Sequence, residues 1–451
     1  MQLSPAPPAI PFREAAGVWA RVAAQSFGGP AGQIAVMHRI VVEEKRWVSE
    51  ERFLHALSYC MLLPGPEAQQ LATYLGWLMH RTRGGLVAGT LFVLPGALAM
   101  LALSFVYVHF HETPLLAGLF YGLKPAVMAV VAEAVLRLGR KSLLRSWHFA
   151  AAALAFAGLF LFDLPFPSIL AAAALVGLVA GRLAPAPAPE PAAPGAERVA
   201  DLAAPGRKPS LGRSLRVLAI GLAIWWIPPL LLFATFGRDH VLVDQAIFFS
   251  QTAVLTFGGA YAVLTYIGQE AVSSFAWLTP REMLDGLGLA ETTPGPLIMV
   301  VQFVAFLGAW RHPGSLEPAT AAVLGSLVTT WVTFVPSFLW IFLGAPYIEA
   351  LRGNRALRDA LSGITAAMVG VILNLALFFS LHTLFGAVDR RSWGPFDLQV
   401  PVWSSLDPVT IAIGLFAFVA LFRWKAGLGM TLAASSLLGL LFFLGSRILL
   451  N

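Results

Sequence analysis

The sequence predicts an all-α polytopic membrane protein: two inverted-topology repeats whose broken helices meet near the bilayer midplane. Three observations lead there. The first is solvent preference: of 451 residues, 58% are hydrophobic and 12% charged, with a mean hydropathy of +0.75. A soluble domain carries roughly 25% charged residues. The second is duplication. Phe27-Gly28-Gly29 returns as Phe257-Gly258-Gly259, Pro64-Gly65-Pro66 as Pro294-Gly295-Pro296, and Trp47 as Trp277, all 230 residues later. From Phe27 to Pro66 the gapless pairing gives ten identities in forty positions, where composition alone gives about three. Further along the offset becomes 241, pairing Pro95 with Pro336 and Gly122 with Gly363. The third is a charge bias that changes sides between the copies.

Residues 13–26 are amphipathic and end at the FGGP break; 31–42 form a second apolar run, followed by a charged loop at 43–52. FLHALSYCMLL then runs into PGP at 64–66, and 67–79 continue as another short helix. None of these four pieces spans a bilayer with comfort. Ordinary spans follow at about 85–108, 116–136, 148–162 and 167–182. Residues 1–182 form the first repeat. Residues 183–212, with seven prolines between Pro185 and Pro209, form a linker expected on the cytoplasmic side. Residues 213–451 form the second repeat, opening on an unpaired span at 213–236. The broken pattern then recurs at 244–256, 260–272, 281–293 and 297–310, with closing spans near 318–345, 360–383, 408–422 and 426–446.

Basic residues mark the cytoplasmic ends of short loops. Loop 38–52 has Arg39, Lys45, Arg46 and Arg52, whereas its counterpart 268–282 has only Arg281. Loop 109–119 has neither Lys nor Arg, whereas 350–360 has Arg352, Arg355 and Arg358. Arg137, Arg140, Lys141 and Arg145 face a counterpart, 378–386, with none. One extra span after the linker suffices to invert the second copy.

A helix broken inside lipid leaves backbone groups that lipid cannot satisfy, so breaks belong beside a polar cavity or within protein. Gly28-Gly29 and Gly258-Gly259 permit left-handed backbone. Pro66 and Pro296 suit the first position of a new helix. Each break therefore starts a half-helix whose free N–H groups and positive dipole end face the gap. Four such ends make a site for an anion. Expected binding residues are Ser26, Gly28, Gly29, Gln33, Pro64, Gly65, Pro66, Gln69 and Gln70 in the first copy. Thr256, Gly258, Gly259, Tyr261, Thr292, Thr293, Pro294, Gly295, Pro296 and Gln302 are their counterparts in the second. The plainer reading, in which the breakers are kinks mended by polar side chains, stays open. Lys124 either attracts the anion or snorkels to the interface. Glu67 and Glu291 are candidates for proton coupling, with helix capping as the alternative. Cys60 stands alone, so there is no disulfide framework, and no HExxH, GxSxG or P-loop pattern occurs. The charge of +6 is spread over loops and forms no nucleic-acid stripe. The proline-rich first fifteen residues lack the basic start of a signal peptide. No enzyme activity and no cofactor are expected.

SFGGPAGQ (26–33), LLPGPEAQQLATYLG (62–76), TFGGAYAVL (256–264) and GLAETTPGPL (288–297) resemble the chromate ion transporter family, in its long two-domain type. The resemblance covers both copies and departs at Lys124, whose counterpart is Thr365. It implies export of chromate across the bacterial inner membrane and chromate resistance, with sulfate, a tetrahedral dianion of similar shape, as competitor. The expected partners are that oxyanion, the bilayer and, as an open alternative, a second copy of the chain. Two other readings remain: a sulfate-type importer or exchanger, and a non-transporting membrane enzyme or scaffold.

Overall fold

The computed structural model describes residues 10–27, 29–183, 210–257, 259–347, 354–394 and 396–449. Most of the linker, together with Gly28 and Gly258, lies outside the described residues. The described residues are helical almost throughout, and seven of their helices are long and apolar enough to cross a bilayer.

In the first copy, α1 (Phe12–Gln25) ends at the first break. Next come α2 (Gly29–His38) and α3 (Glu50–Cys60). Helix α4 covers Glu67–Phe110 but is broken at His80 and Arg81, whose φ values are −135° and 56°. The short helix 67–79 expected from sequence is therefore the first limb of α4. Close glycine packing folds the two limbs together: a Cβ on Gly84 would lie 2.1 Å from the Gly76 carbonyl oxygen. Then follow α5 (Pro114–Ser142), α6 (Ser146–Phe162) and α7 (Phe166–Leu183).

Helix α8 (Leu211–Phe236) is the unpaired span. The second copy continues with α9 (Val241–Leu255), α10 (Ala260–Gln269) and α11 (Pro280–Thr292). After a 3-10 turn at Leu297–Met299 come α12 (Val300–Arg311), α13 (Pro318–Gly344) and α14 (Arg355–Leu384). Helices α15 (Pro408–Phe422) and α16 (Leu428–Leu449) close the chain. Two features were not expected: an antiparallel hairpin pairing β1 (Val388–Trp393) with β2 (Phe396–Pro401), and wide π-helical turns after α2 and α10.

Repeated sequence gives repeated local geometry. The π turns occupy Arg39–Glu44 and Glu270–Ser274, each followed by a left-handed residue, Arg46 at φ 53° and Ala276 at φ 51°. Ser49 and Thr279, 230 residues apart, cap α3 and α11 by accepting from the amides of Arg52 and Glu282.

The copies interlock. Gly65 N–H donates to the Thr256 carbonyl at 2.8 Å, and Gly295 N–H donates to the Ser26 carbonyl at 2.8 Å. Each Pro-Gly-Pro turn is thus tied to the break of the other copy, and the pairing is reciprocal. The peripheral helices are exchanged in the same way. Helix α5 packs on α15 and α16, while α14 packs on α6 and α7. A Cβ on Gly122 would lie 2.0 Å from the Ser435 carbonyl oxygen, and one on Gly363 would lie 2.2 Å from that of Ala173. Small residues let helix backbones approach closely in lipid, where hydrophobicity alone does not drive association.

Candidate functional site

The four breaks converge. Gly29, Gly65, Gly259 and Gly295 all have positive φ, at 71°, 123°, 100° and 98°. A side chain is strained there, so glycine is what lets the chain turn from one half-helix into the next. Pro66 and Pro296 stand one residue before the first turns of α4 and the 3-10 segment, as caps, not as first helical residues. A small cavity of about 20 Å³ is walled by all four starts: Pro30 and Gln33 of α2, Pro66 and Glu67 of α4, Gly259 and Ala260 at α10, and Pro296 and Leu297. It can hold a water.

This cavity adjoins a vestibule of about 480 Å³, and Pro30, Glu67 and Gly259 border both spaces. Arg137 and Lys141 on α5 and Arg358 on α14 line the vestibule. So do Thr365, Ser362 and His148, the last two hydrogen bonded at 3.2 Å. Positive charge thus lies on the vestibule walls, and three of the four half-helix starts, with the positive ends of their dipoles, border the same space. Arg137 is paired with Glu133, one turn away on α5.

The expected binding residues divide into groups. Gln33 is buried and donates to the Gly295 carbonyl at 2.6 Å, so it joins the two copies while facing the small cavity. Tyr261 lines the vestibule and donates its hydroxyl to buried Glu291. Glu67 borders both cavities, whereas Glu291 lies behind Tyr261. Gln70 donates to the Pro64 carbonyl at 2.7 Å and Gln302 to the Ala97 carbonyl at 3.1 Å. Gln69 donates to the Thr73 hydroxyl at 3.3 Å. These three glutamines border neither cavity: Gln70 braces the first Pro-Gly-Pro turn, Gln69 bonds within α4 and Gln302 ties α12 to α4, and each leaves a buried amide oxygen without a partner.

Ser26, Thr256, Thr292 and Thr293 direct their hydroxyls to carbonyls of their own helices, at 2.7, 2.6, 2.9 and 3.1 Å. Their side chains mend helix ends, and it is the main-chain carbonyls of Ser26 and Thr256 that hold the opposite turns. Lys124 is not at the convergence. Its ammonium lies 3.3 Å from Asp285 Oδ1, across α5 and α11. A third cavity, of about 70 Å³, borders none of the four starts, and its one cation, Arg390, is paired with Asp163 at 2.7 Å. Among the described residues, no three His, Cys, Asp or Glu side chains come together as a metal set.

Sequence reasoning took Arg137, Lys141 and Arg358 only as topological markers, and the structure places them on the vestibule wall. The available signal was their helical position, at the basic end of α5 and the basic start of α14, across from the breaks.

The chain matches the protein family described as Chromate transporter over residues 13–178 and 243–440. It belongs to the chromate transporter family. The chromate transport protein of Pseudomonas aeruginosa is 30% identical over 97% of this chain and 94% of its own length. The probable chromate transport protein of Synechococcus elongatus is 26% identical over 93% of this chain and 92% of its own. The chromate transport protein of Cupriavidus metallidurans is 27% identical over 84% of each chain. No solved structure matches the chain. Membership makes this chromate transporter family protein a transport protein, not an enzyme, and the family match takes in every half-helix of the site and stops short of the linker and α8.

Proposed function

We propose that the chain exports chromate from the cytoplasm across the inner membrane, driven by the membrane potential, and so confers resistance to chromate. The observation that carries this reading is the convergence of four half-helix starts on one cavity at the floor of a cation-lined vestibule. Oriented amides and dipoles bind a tetrahedral oxyanion without a fixed counter-charge that would trap it. The small cavity is too tight for the ion, which therefore binds first at the mouth, beside Pro30 and Gly259. Glu67 stands at the same mouth and is the candidate proton site.

Two repeats related by a two-fold axis in the membrane plane account for the crossed hydrogen bonds together with the alternation of basic loops. On this reading residues 1–182 and 213–451 are the two units, joined by the linker. The vestibule carrying Arg137, Lys141 and Arg358 opens to the cytoplasm. Moving one charge through 100 mV is worth about 2.3 kcal/mol, so a dianion leaving a negative interior gains about 4–5 kcal/mol.

Purified protein in liposomes tests this. Chromate efflux should rise steeply when the lumen is made negative and respond weakly to a pH gradient at zero potential. Flux that ignores potential and follows the pH gradient overturns potential-driven export. Sulfate flux with no chromate flux overturns the substrate. In the same assay Glu67→Gln should lower the half-saturating chromate concentration about tenfold (about 1.4 kcal/mol), because a carboxylate no longer faces the anion at the start of α4.

A further inference from the structure

The two copies are in different states. Along α3 and its C-cap, Leu54, Ser58 and Met61 form an exposed stripe, with Leu54 at 50% and Met61 at 39%. Their counterparts on α11 are Leu284, Gly288 and Glu291, and all three are buried, with Leu284 at 0% and Glu291 at 4%. Helix α5 covers α11. A Cβ on Gly288 would lie 2.5 Å from Leu123 Cδ2 and 3.4 Å from Val127 Cγ2. One turn earlier Lys124 meets Asp285, and the other oxygen of Asp285 accepts from the Tyr107 hydroxyl at 2.9 Å. Glu282, one further turn back, is held by Arg311 at 3.0 and 2.5 Å, so it does not compete for Lys124.

At an offset of 241, the counterpart of α5 is α14 and that of Lys124 is Thr365. Thr365 does not lie on α3. It lines the vestibule, as do Leu361 on the same helix and Met61 and Leu62 just past the end of α3. One copy thus holds open the cleft that the other holds shut. Exchanging the two arrangements, as a two-fold relation permits, closes α14 onto α3 and lifts α5 off α11.

We propose that the α5–α11 contact, centred on Lys124 and Asp285, is the gate of the opposite vestibule, and that Lys124 is its anion-binding residue. This rests on the anion-transport reading above. In a low-dielectric setting an ammonium separated from its carboxylate needs another counter-charge. The oxyanion arriving from the floor of the site supplies it, and Asp285 keeps the Tyr107 hydroxyl. The anion therefore favours the state in which Lys124 is released, which is the differential affinity a population shift requires.

Thiol labelling tests the gate without substrate, so its outcome stands even if the cargo is not chromate. The chain's single cysteine, Cys60, is fully buried, leaving introduced cysteines as the reporters. A membrane-impermeant reagent should label Met61→Cys and spare Leu123→Cys. Adding Asp285→Asn should raise labelling of Leu123→Cys at least fivefold and lower that of Met61→Cys. Unchanged Leu123→Cys labelling in both Asp285→Asn and Lys124→Met overturns the gate. A rise at both reporters marks unfolding, and the charge-swapped pair Lys124→Asp with Asp285→Lys then decides, since it should restore masking of Leu123→Cys. If the swap leaves that position open, the gate is likewise overturned.

The role of Lys124 has its own readout. In vesicles of known orientation, Lys124→Met should raise the half-saturating chromate concentration at least tenfold on the face opposite the vestibule. On the vestibule face the change should stay within about twofold. Equal losses on both faces overturn its role as an anion residue.

Discussion

Gly29 and Gly65 share a left-handed backbone yet stand in different surroundings, and this separates function from folding. A Cβ on Gly29 meets nothing within 4 Å, whereas one on Gly65 would lie 2.6 Å from Ser337 Oγ and 2.8 Å from Gln70 Nε2. Gly29→Val therefore fits in space but strains the break by about 1–2 kcal/mol or more. It should cut chromate flux at least tenfold while leaving a monodisperse protein in detergent. Gly65→Val collides with the turn that hydrogen bonds to Thr256, and should be lost before purification. Normal flux in Gly29→Val would mean that the first break does not shape the site. At this scale the glycines and prolines were legible in the sequence, because few residues tolerate such backbone and a duplication prints them twice. Partners were not legible. Nothing near Lys124 in the chain points to Asp285, and nothing about Gln69 or Gln302 says that their amides bond to α4 and do not line a cavity.

Among the elements, the exchanged helix crossings were the least visible from sequence. Glycine pairs such as Gly122 with Gly439 and Gly363 with Gly177 lie in ordinary apolar spans, and only their contacts give them meaning. The hairpin at 388–401 escaped for a different reason: it is a short excursion between two strong hydrophobic helices, and hydropathy dominated the reading. The broken helices were legible as elements because length decides the matter; ten to fifteen residues cannot cross a bilayer. The crossings make a direct prediction. Gly122→Leu drives a side chain into the Ser435 carbonyl and must push α5 off α16, at a cost of about 3 kcal/mol or more. Its apparent melting temperature in detergent should fall by several degrees, and its size-exclusion profile should broaden. Gly17→Leu on α1, where a Cβ meets nothing within 4 Å, should leave both unchanged.

For the molecule as a whole, duplication and charge alternation led to the expectation of two copies of one plan, but nothing in the sequence said that neither copy completes itself. Each Pro-Gly-Pro turn is held by a carbonyl of the other copy, and each long helix, α5 or α14, packs on helices of the other copy. The core is therefore shared, and a half-chain exposes both the backbone groups of its breaks and the glycine face of its long helix. Lipid satisfies neither: unpaired amides cost several kcal/mol in hydrocarbon, and a small-residue face packs poorly against mobile acyl chains. Cutting the chain within 184–209 consequently separates pieces that need each other. Residues 1–183 or 210–451 expressed alone should be degraded or aggregate. The two co-expressed should purify together through a tag on either one and restore chromate flux to within a few-fold of the intact protein. A first half that purified alone as a stable, monodisperse protein would contradict the interlock, because the Gly65 and Ser26 pairings would then contribute nothing that the half could not supply itself.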